Sequence, residues 1–367
     1  MKKLLFGLLA FFGLILLLLV GLLLIGAADT SEIRNFTSNE KLPTVRENWK
    51  GTPVDQKGRF VNAEFPFLPS PVDLLKWTVA SNPQKTEKEN DEFRLNIQDP
   101  GEFLGGEKEG MIWLGHASLL VRLGGKTILI DPVFGEPPFI ERYFNLPSPL
   151  EKIRRVDYVL TTHDHRDHLD EATIKAIAGR FPQSKFLAGI GSEDILREWT
   201  GAEDRVLTAG WFQQFPPDEA NLKIVFVPVR HWSRRGLFDT NRRLWGGYIV
   251  SGAGTSLYHG GDSGYGSHYA ELAESFPEID YFVIGIGSYE PRWIMKPNHN
   301  NPEEAVQAFV DSKAKMLVPM HYATFNMTDE PPGEPLRRLK DEVRKVGLNE
   351  KLKPLDIYES LMFESSD

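Results

Sequence analysis

Short apolar runs, each ended by turn residues, dominate the chain beyond position 110. The runs at 111–114, 118–123 and 127–130 are separated by glycine and polar residues, which is typical of strands in a meander. After them, apolar runs of strand length alternate with longer segments of helical pattern. The pattern therefore predicts a mixed α/β fold.

The alternation of strands and helices occurs in two halves. In the first half it predicts strands at 156–161 and 185–188 and helices at 171–179 and 192–199. In the second half it predicts strands at 223–229, 248–251, 256–259, 281–286 and 316–320, and helices at 268–275, 302–311 and 334–346. Two mixed halves fit a four-layer αββα sandwich, in which helices cover the outer faces of two stacked sheets.

The N-terminus carries the longest apolar run of the chain. Lys2 and Lys3 precede an uncharged run at 4–25, which is long enough for a transmembrane helix and too long for the core of an ordinary signal peptide. The sequence therefore predicts a single-pass membrane anchor at 1–28. Because the lysines precede the run and acidic residues follow it, the positive-inside rule places the rest of the chain on the non-cytoplasmic side. A signal peptide cleaved after 26–28 is the alternative.

Residues 29–105 are polar, contain many Pro and Asn residues and lack sustained periodicity. We expect a tether followed by an arm that wraps around a domain at 106–367. Two apolar clusters in this arm, at 65–68 and 74–77, would pack on the domain or contact a lipid surface.

Composition limits the chemistry that the domain can perform. A formal net charge of -9 argues against a nucleic-acid partner, because binding to phosphate backbones depends on clustered Lys and Arg. The chain contains no cysteine, so any bound metal would be held by histidines and carboxylates.

The densest cluster of candidate ligands is the segment His-Asp-His-Arg-Asp-His at 163–168, between a predicted strand and a predicted helix. Burying so many imidazoles and carboxylates without a cation would leave costly unpaired groups. Three further candidates follow predicted strands of the second half, and they are His231, Asp262 and His321. The sequence therefore predicts a metal site built at strand ends.

This pattern resembles the metallo-β-lactamase superfamily, whose members hold two zinc ions with such a motif and a later His, Asp and His. The resemblance implies a first zinc held by His163, His165 and His231, a second held by Asp167, His168 and His321, and Asp262 as a bridge between them. Both shells would leave room for solvent, as a catalytic zinc requires. Such ligands also suit other divalent metals, so zinc follows from the resemblance alone.

Motifs away from the ligands resemble the N-acyl-phosphatidylethanolamine-hydrolysing phospholipase D branch of that superfamily, over roughly residues 58–350. They include Gly-Arg-Phe-Val-Asn at 58–62, Trp-Leu-Gly-His-Ala at 113–117, Gly-Asp-Ser-Gly-Tyr at 261–265 and His-Tyr-Ala-Thr-Phe at 321–325. The resemblance implies that His299 contacts the substrate phosphate or delivers a proton. The chain departs from the branch in its N-terminal apolar run and in Asn298, where Gln is expected.

These features predict a zinc-dependent phosphodiesterase that hydrolyses (N-acyl-)phosphatidylethanolamine with a metal-bound hydroxide. Asp262 and His299 are the predicted catalytic residues, and His116 and Asp164 are predicted to orient ligands without binding a metal. The predicted partners are a phospholipid and a membrane, with no nucleic acid, and the sequence leaves a homo-oligomer open.

Two alternatives stay open. A lactonase or another carbonyl-directed hydrolase would use the same ligands. A non-enzymatic, membrane-tethered scaffold would keep the fold, but we would expect it to have lost ligands, and none of the predicted ligands is lost.

Overall fold

The computed structural model describes residues 32–62, 64–66, 71–217 and 222–364. Within these ranges the strands, in chain order, are β1 (Asn35–Thr37), β2 (Thr52–Val54), β3 (Gly110–Trp113), β4 (Leu119–Leu123), β5 (Lys126–Ile130), β6 (Glu141–Arg142), β7 (Tyr158–Leu160), β8 (Lys185–Gly189), β9 (Val206–Ala209), β10 (Gln213–Gln214), β11 (Lys223–Val227), β12 (Gly247–Gly252), β13 (Thr255–His259), β14 (Tyr281–Gly285), β15 (Met316–Met320), β16 (Phe325–Asn326) and β17 (Ser360–Met362). The helices are α1 (Pro71–Val79), α2 (Lys85–Asn90), α3 (Glu171–Arg180), α4 (Glu193–Thr200), α5 (His268–Ser275), α6 (Arg292–Met295), α7 (Pro302–Ser312) and α8 (Glu334–Lys345).

The first large sheet has the strand order β17-β3-β4-β5-β7-β8-β9. The pairs from β17 to β5 are antiparallel, and the pairs from β5 to β9 are parallel. Parallel neighbours need crossover connections, and α3 and α4 supply them after β7 and β8. Because β5 and β7 run in the same direction, Asp131 and His163 follow these strands at one edge of the sheet.

The second large sheet has the strand order β10-β11-β12-β13-β14-β15. It is antiparallel as far as β13 and parallel from β13 to β15, with α5 and α7 in the crossovers. The strands β11, β13 and β15 therefore all end at the same edge. His231, Asp262 and His321 each lie within four residues of one of these ends.

The two sheets stack face to face around one hydrophobic core. The hydroxyl of Tyr248 on β12 donates to the carbonyl of Thr161, directly after β7, at 2.8 Å and to that of Leu187 on β8 at 2.9 Å, so it reaches across to the other sheet. The buried core cluster includes side chains from the strands of both sheets. The predicted α/β class with two mixed sheets is therefore confirmed.

The arm at 32–105 contains β1, β2, α1 and α2, none of which the sequence pattern predicted. These elements are short and depend on contacts with distant parts of the chain. Asn82 donates a hydrogen bond to the carbonyl of Asp329 at 2.9 Å, and Gln84 donates to the Glu334 carboxylate at 2.7 Å. The division into a tether and arm at 29–105 and a domain at 106–367 stays a prediction.

The predicted transmembrane helix at 4–25 lies outside the described residues. Across the ranges that the structure describes, no helix combines the length and the apolar character needed to cross a membrane. The longest, α8, has 12 residues, whereas a span needs about 20. On this finding we correct the predicted membrane localisation: the structure supports neither the anchor nor a side of the membrane.

Candidate metal centre

The segment 163–168 forms the tight loop between β7 and α3. The backbone N–H groups of His168 and Leu169 both donate to the carbonyl of His165, at 3.1 and 2.8 Å, which folds the loop back on itself. Asp170 then caps α3, because its side chain accepts a hydrogen bond from the N–H of Thr173 at 2.9 Å. This local geometry directs His163, His165, Asp167 and His168 towards the edge where the second sheet ends.

The first cluster consists of His163, His165, His231 and Asp262, whose nearest ligand atoms lie within 4.8 Å of one another. The Nε2 atoms of His163 and His231 lie 2.9 and 3.2 Å from Nδ1 of His165. Oδ2 of Asp262 lies 3.9 Å from Nε2 of His163 and 3.7 Å from Nε2 of His231. Three ring nitrogens and one carboxylate oxygen thus converge on one point.

The second cluster consists of His116, Asp167, His168 and His321. Nε2 of His168 lies 3.3 Å from Nε2 of His321, and Oδ2 of Asp167 lies 3.6 and 3.8 Å from these two atoms. Asp262 reaches this cluster as well, with Oδ2 at 3.2 Å from His168 Nε2 and Oδ1 at 2.9 Å from His321 Nε2. Asp262 therefore lies between the two clusters, where a bridging ligand would lie.

The donor set of both clusters fits divalent metal ions. Burial, with the nearby imidazoles, holds the pKa of His163 well below its usual value, so this ring is neutral and offers a lone pair. In the second cluster, burial lowers the pKa of His321, but the Asp262 and Asp167 carboxylates outweigh it and raise that pKa to about 9. The carboxylates therefore make this place favourable for a positive charge, and converging imidazole and carboxylate donors suit metals such as zinc.

Three ligand rings are held through the nitrogen that points away from the clusters. Nδ1 of His168 lies 2.7 Å from Oδ2 of Asp131, and Nδ1 of His163 lies 3.0 Å from the hydroxyl of Thr162. Nδ1 of His231 lies 3.1 Å from the carbonyl of Asn298. Partners of this kind fix which nitrogen carries the proton and keep the other free for a metal.

Asp131 is a residue of the site that the sequence analysis missed. It is fully buried and receives hydrogen bonds from both the N–H and the hydroxyl of Thr162, at 2.7 and 2.6 Å. The signal that could have identified it is its position directly after the apolar run at 127–130, because strand ends were the places where the other candidates were found.

The structure gives the two predicted supporting residues different surroundings. Nε2 of His116 lies 2.9 Å from Oδ2 of Asp167, and its ring packs against that of His321 with centroids 3.8 Å apart. Burial, followed by the charge of His321, lowers the pKa of His116 to about 3, so a neutral ring can donate to Asp167. The Asp164 carboxylate accepts a hydrogen bond from the N–H of Arg234 at 2.9 Å and pairs with Arg243 at 3.3 Å, and it interacts electrostatically with His165.

His299 lies beside the first cluster and below an open cavity. Its Nδ1 is 3.9 Å from Oδ2 of Asp262, and its ring centroid is 5.2 Å from that of His231. Arg292 holds this segment, because it donates to the carbonyl of His299 at 3.0 Å and pairs with Glu304 at 2.7 Å. The cavity above has a volume of about 310 Å³, and its floor is formed by His165, Asp167, Asp262 and His299.

Two clusters of His and Asp ligands at the adjoining edges of two stacked mixed sheets, open to a cavity, form the centre of a metal-dependent hydrolase. The chain belongs to the beta-lactamase superfamily, because the family model described as "Beta-lactamase superfamily domain" matches residues 126–322. The match includes every predicted metal ligand, and the predicted family is thereby confirmed. The individual roles of the site residues stay predictions that this geometry supports.

Several known proteins are similar to this chain. It is 34% identical over 242 residues to N-acyl-phosphatidylethanolamine-hydrolyzing phospholipase D 1 of Caenorhabditis elegans, with 62% of this chain and 68% of that protein covered. It is 32% identical over 250 residues to a metal-dependent hydrolase of Hyperthermus butylicus, with 67% and 97% covered. The chain spans 62% of the length of uncharacterized mycobacterial relatives to which it is 36% identical.

Among solved structures, the metallo hydrolase Igni18 of Ignicoccus hospitalis is similar in fold. The superposition has a TM-score of 0.52 at 23% sequence identity and covers 69% of this chain and 97% of that one. At this identity the likeness concerns the fold alone. It agrees with the stacked mixed sheets described above.

Proposed function

We propose that the protein is a zinc-dependent phosphodiesterase with two metal ions, which hydrolyses phospholipids such as N-acyl-phosphatidylethanolamine in the manner of a phospholipase D. The observation that carries the proposal is the cavity above the metal centre. Its walls are largely apolar and are formed by Trp77, Ile140, Trp232, Ile294, Met295 and Met327. Such walls suit acyl chains, whereas the floor of His and Asp suits a phosphate group.

Exposed apolar side chains that lie close in sequence to residues of the cavity wall support a lipid substrate. Phe139 is fully exposed next to Ile140 of the wall, and Trp293 is 53% exposed next to Ile294. Leu237 and Phe238, 77% and 85% exposed, follow Arg234 of the wall. Large exposed apolar side chains beside a pocket are typical of a surface that binds apolar matter, and these four are one to four residues from the wall. We call Phe139, Leu237, Phe238 and Trp293 the apolar rim.

Two arginines that line the cavity favour an anionic substrate over a neutral one. Arg166 and Arg234 both line the cavity beside the metal centre. Two guanidinium groups attract a phosphodiester, which carries a negative charge, and offer little to a neutral lactone. The name of the C. elegans relative, a phospholipase D that hydrolyses N-acyl-phosphatidylethanolamine, agrees with this choice.

The ligand sets proposed for the two ions are His163, His165 and His231 for the first and Asp167, His168 and His321 for the second, with Asp262 between them. Bound divalent ions lower the pKa of water towards neutrality and neutralise charge that develops on phosphoryl oxygens. Asp262 holds the two ligand sets at a constant separation. His299 lines the cavity beside Asp262, and in this proposal it would hydrogen-bond a phosphoryl oxygen or pass a proton to the leaving group.

The test is headgroup release by the zinc-loaded protein from vesicles that contain N-acylated or ordinary phosphatidylethanolamine. We expect release that His163→Ala abolishes and that His299→Ala lowers about 10²–10⁴-fold in kcat, with the metal content of the His299 variant unchanged. Phosphatidic acid among the products would identify cleavage of the D type. Hydrolysis of lactones or β-lactams without release from either lipid would overturn the proposal in favour of a carbonyl-directed hydrolase.

The apolar rim provides a second test of the lipid substrate. Phe238→Asp should lower hydrolysis of vesicles more than hydrolysis of a short, water-soluble phosphodiester, because the charge opposes contact with lipid. Val346→Asp is the matched control, since Val346 is an exposed apolar residue, 45% exposed, directly after the C-terminal end of α8. A role of the rim would be contradicted if Phe238→Asp lowered the hydrolysis of both substrates equally. The same holds if Val346→Asp lowered the hydrolysis of vesicles as much as Phe238→Asp does.

A further inference from the structure

One histidine of the second cluster, His321, lacks the hydrogen-bond partner that neighbouring ligand rings have on their outer nitrogen. The outer nitrogens of His163, His168 and His231 each face a hydroxyl, carboxylate or carbonyl oxygen. His321 is 2% exposed, yet among the described residues no group forms a hydrogen bond with its Nδ1. The outer nitrogen of His165 is also without a described partner, but that ring packs edge-on against Trp232 at the open cavity.

A small second cavity lies on the outer side of His321. It has a volume of about 20 Å³, and its lining includes His116, Tyr143, Ser288, His321 and Glu330. A cavity that holds a water molecule needs a volume of about 10–15 Å³ and two to four polar partners for the water. The cavity therefore has the size and the polar lining for one ordered water.

Glu330 is the carboxylate on the wall of this cavity, and the chain holds it firmly. It is 6% exposed and accepts hydrogen bonds from the N–H of Ser288 at 2.6 Å, from the hydroxyl of Thr328 at 2.9 Å and from the N–H of Glu290 at 3.2 Å. Two of these bonds reach Oε1 and one reaches Oε2, so Oε2 is the oxygen that can accept a further hydrogen bond. Burying a carboxylate costs free energy unless hydrogen bonds replace the lost water, and these bonds keep the Glu330 carboxylate in one orientation.

We propose that Glu330 is a positioning residue for His321 and that it acts through one water in this cavity. The water accepts a hydrogen bond from Nδ1–H of His321 and donates one to the Glu330 carboxylate. This arrangement keeps the ring proton on Nδ1, so that the lone pair of Nε2 faces Asp262 and the second cluster. The inference rests on the proposed role of His321 as a metal ligand, and it adds an outer partner of the kind that His163, His168 and His231 have.

The arm supports the segment that carries Glu330. Lys88 of α2 donates a hydrogen bond to the carbonyl of Thr328, and Asn82 donates to the carbonyl of Asp329. The positive charge of Lys88 also interacts with Glu330. The arm thus holds in place the carboxylate on which the orientation of His321 depends.

The test is zinc binding by the full chain, measured by competition with a chelator of known affinity, without any substrate. Glu330→Gln keeps the size of the side chain but weakens the acceptor, and Glu330→Ala removes it. We expect wild-type protein to bind two zinc ions and both variants to bind one of them about 10–100-fold more weakly. Glu334→Gln is the matched control, because Glu334 bonds to Tyr289 and Gln84 in the same region but does not line the cavity.

A second measurement observes the His321 ring directly, so that a general loss of folding in a variant can be told apart from a loss of this hydrogen bond. In long-range ¹H–¹⁵N spectra of zinc-loaded protein, His321 should show a protonated Nδ1 in the wild type and lose that hydrogen-bonded signal in Glu330→Gln. Wild-type affinity for both ions in Glu330→Gln, or an unchanged His321 signal, would overturn this inference and leave the proposed function intact. Failure of the wild type to bind zinc would overturn both.

Discussion

Asp131 shows how much of the centre depends on one side chain. Its carboxylate lies 2.7 Å from Nδ1 of His168 and accepts both hydrogen bonds of Thr162, whose hydroxyl is in turn 3.0 Å from Nδ1 of His163. One buried carboxylate therefore orients a ligand ring of each cluster. The sequence contains the ligands themselves, but nothing local to Asp131 indicates that it would contact residues more than thirty positions away.

Replacing Asp131 with Asn should weaken zinc binding by about 10–100-fold, because an amide NH₂ in the place of Oδ2 cannot accept the hydrogen bond that His168 Nδ1 donates. The measurement is the zinc affinity of the purified variant. Asp164→Asn is the control, since Asp164 is a buried carboxylate of the same loop whose hydrogen bonds go to Arg234 and Arg243 and not to the outer nitrogen of a ligand ring. Similar losses in both variants would mean that the effect is a general one on the loop.

At the scale of elements, the strand ends decide where the chemistry lies. Strands β5, β7, β11, β13 and β15 all end at the adjoining edges of the two sheets. Their existence could be predicted from apolar runs, and β15 has the predicted bounds 316–320. The elements that were missed are short or at sheet edges, such as β17, which is stabilised by pairing with β3 far away in the chain. Pairing of that kind leaves no local pattern.

The cap of α7 provides a test at this scale. The side chain of Asn301 accepts from the N–H of Glu304 at 2.8 Å, and the Glu304 carboxylate accepts from the N–H of Asn301 at 3.1 Å. Asn301→Ala should therefore lower the free energy of unfolding by about 0.5–2 kcal/mol in urea denaturation. Asn301→Asp, which keeps the acceptor, should stay close to the wild type; a loss as large as that of the Ala variant would show that the cap is not the cause.

At the scale of the whole molecule, the cavity and the centre are assembled from distant segments. Trp77 comes from the arm, Trp232 from the second half, and Met327 from the segment after β16.

The structure also buries neutral histidines outside the centre. His268 is one of them: burial, followed by the charge of Arg230, lowers its pKa to about 3.

This buried histidine predicts a dependence of stability on pH. Unfolded His268 has a pKa near 6.5, so between about pH 6.5 and 3 the unfolded state binds one proton more than the folded state, and stability falls as the pH falls. Each pH unit below 6.5 should cost about 1.4 kcal/mol through this residue. When the pH is lowered from 7.5 to 5, the free energy of unfolding of His268→Gln should therefore fall by about 2 kcal/mol less than that of the wild type. Equal losses in urea denaturation would contradict the assignment.

The sequence by itself determined the ligand types, their places at strand ends and the α/β class, because apolar periodicity and the motif at 163–168 are local properties of the chain. The grouping of the ligands and the bridging place of Asp262 were expected only from the family resemblance, and the tertiary structure supplied their geometry. Only the tertiary structure decided that Asp131 lies against His168 and that Glu330 lines a cavity beside His321. The physical reason is that these contacts join residues far apart in sequence. The distances between these residues depend on how the two sheets stack, and no local sequence pattern indicates that stacking.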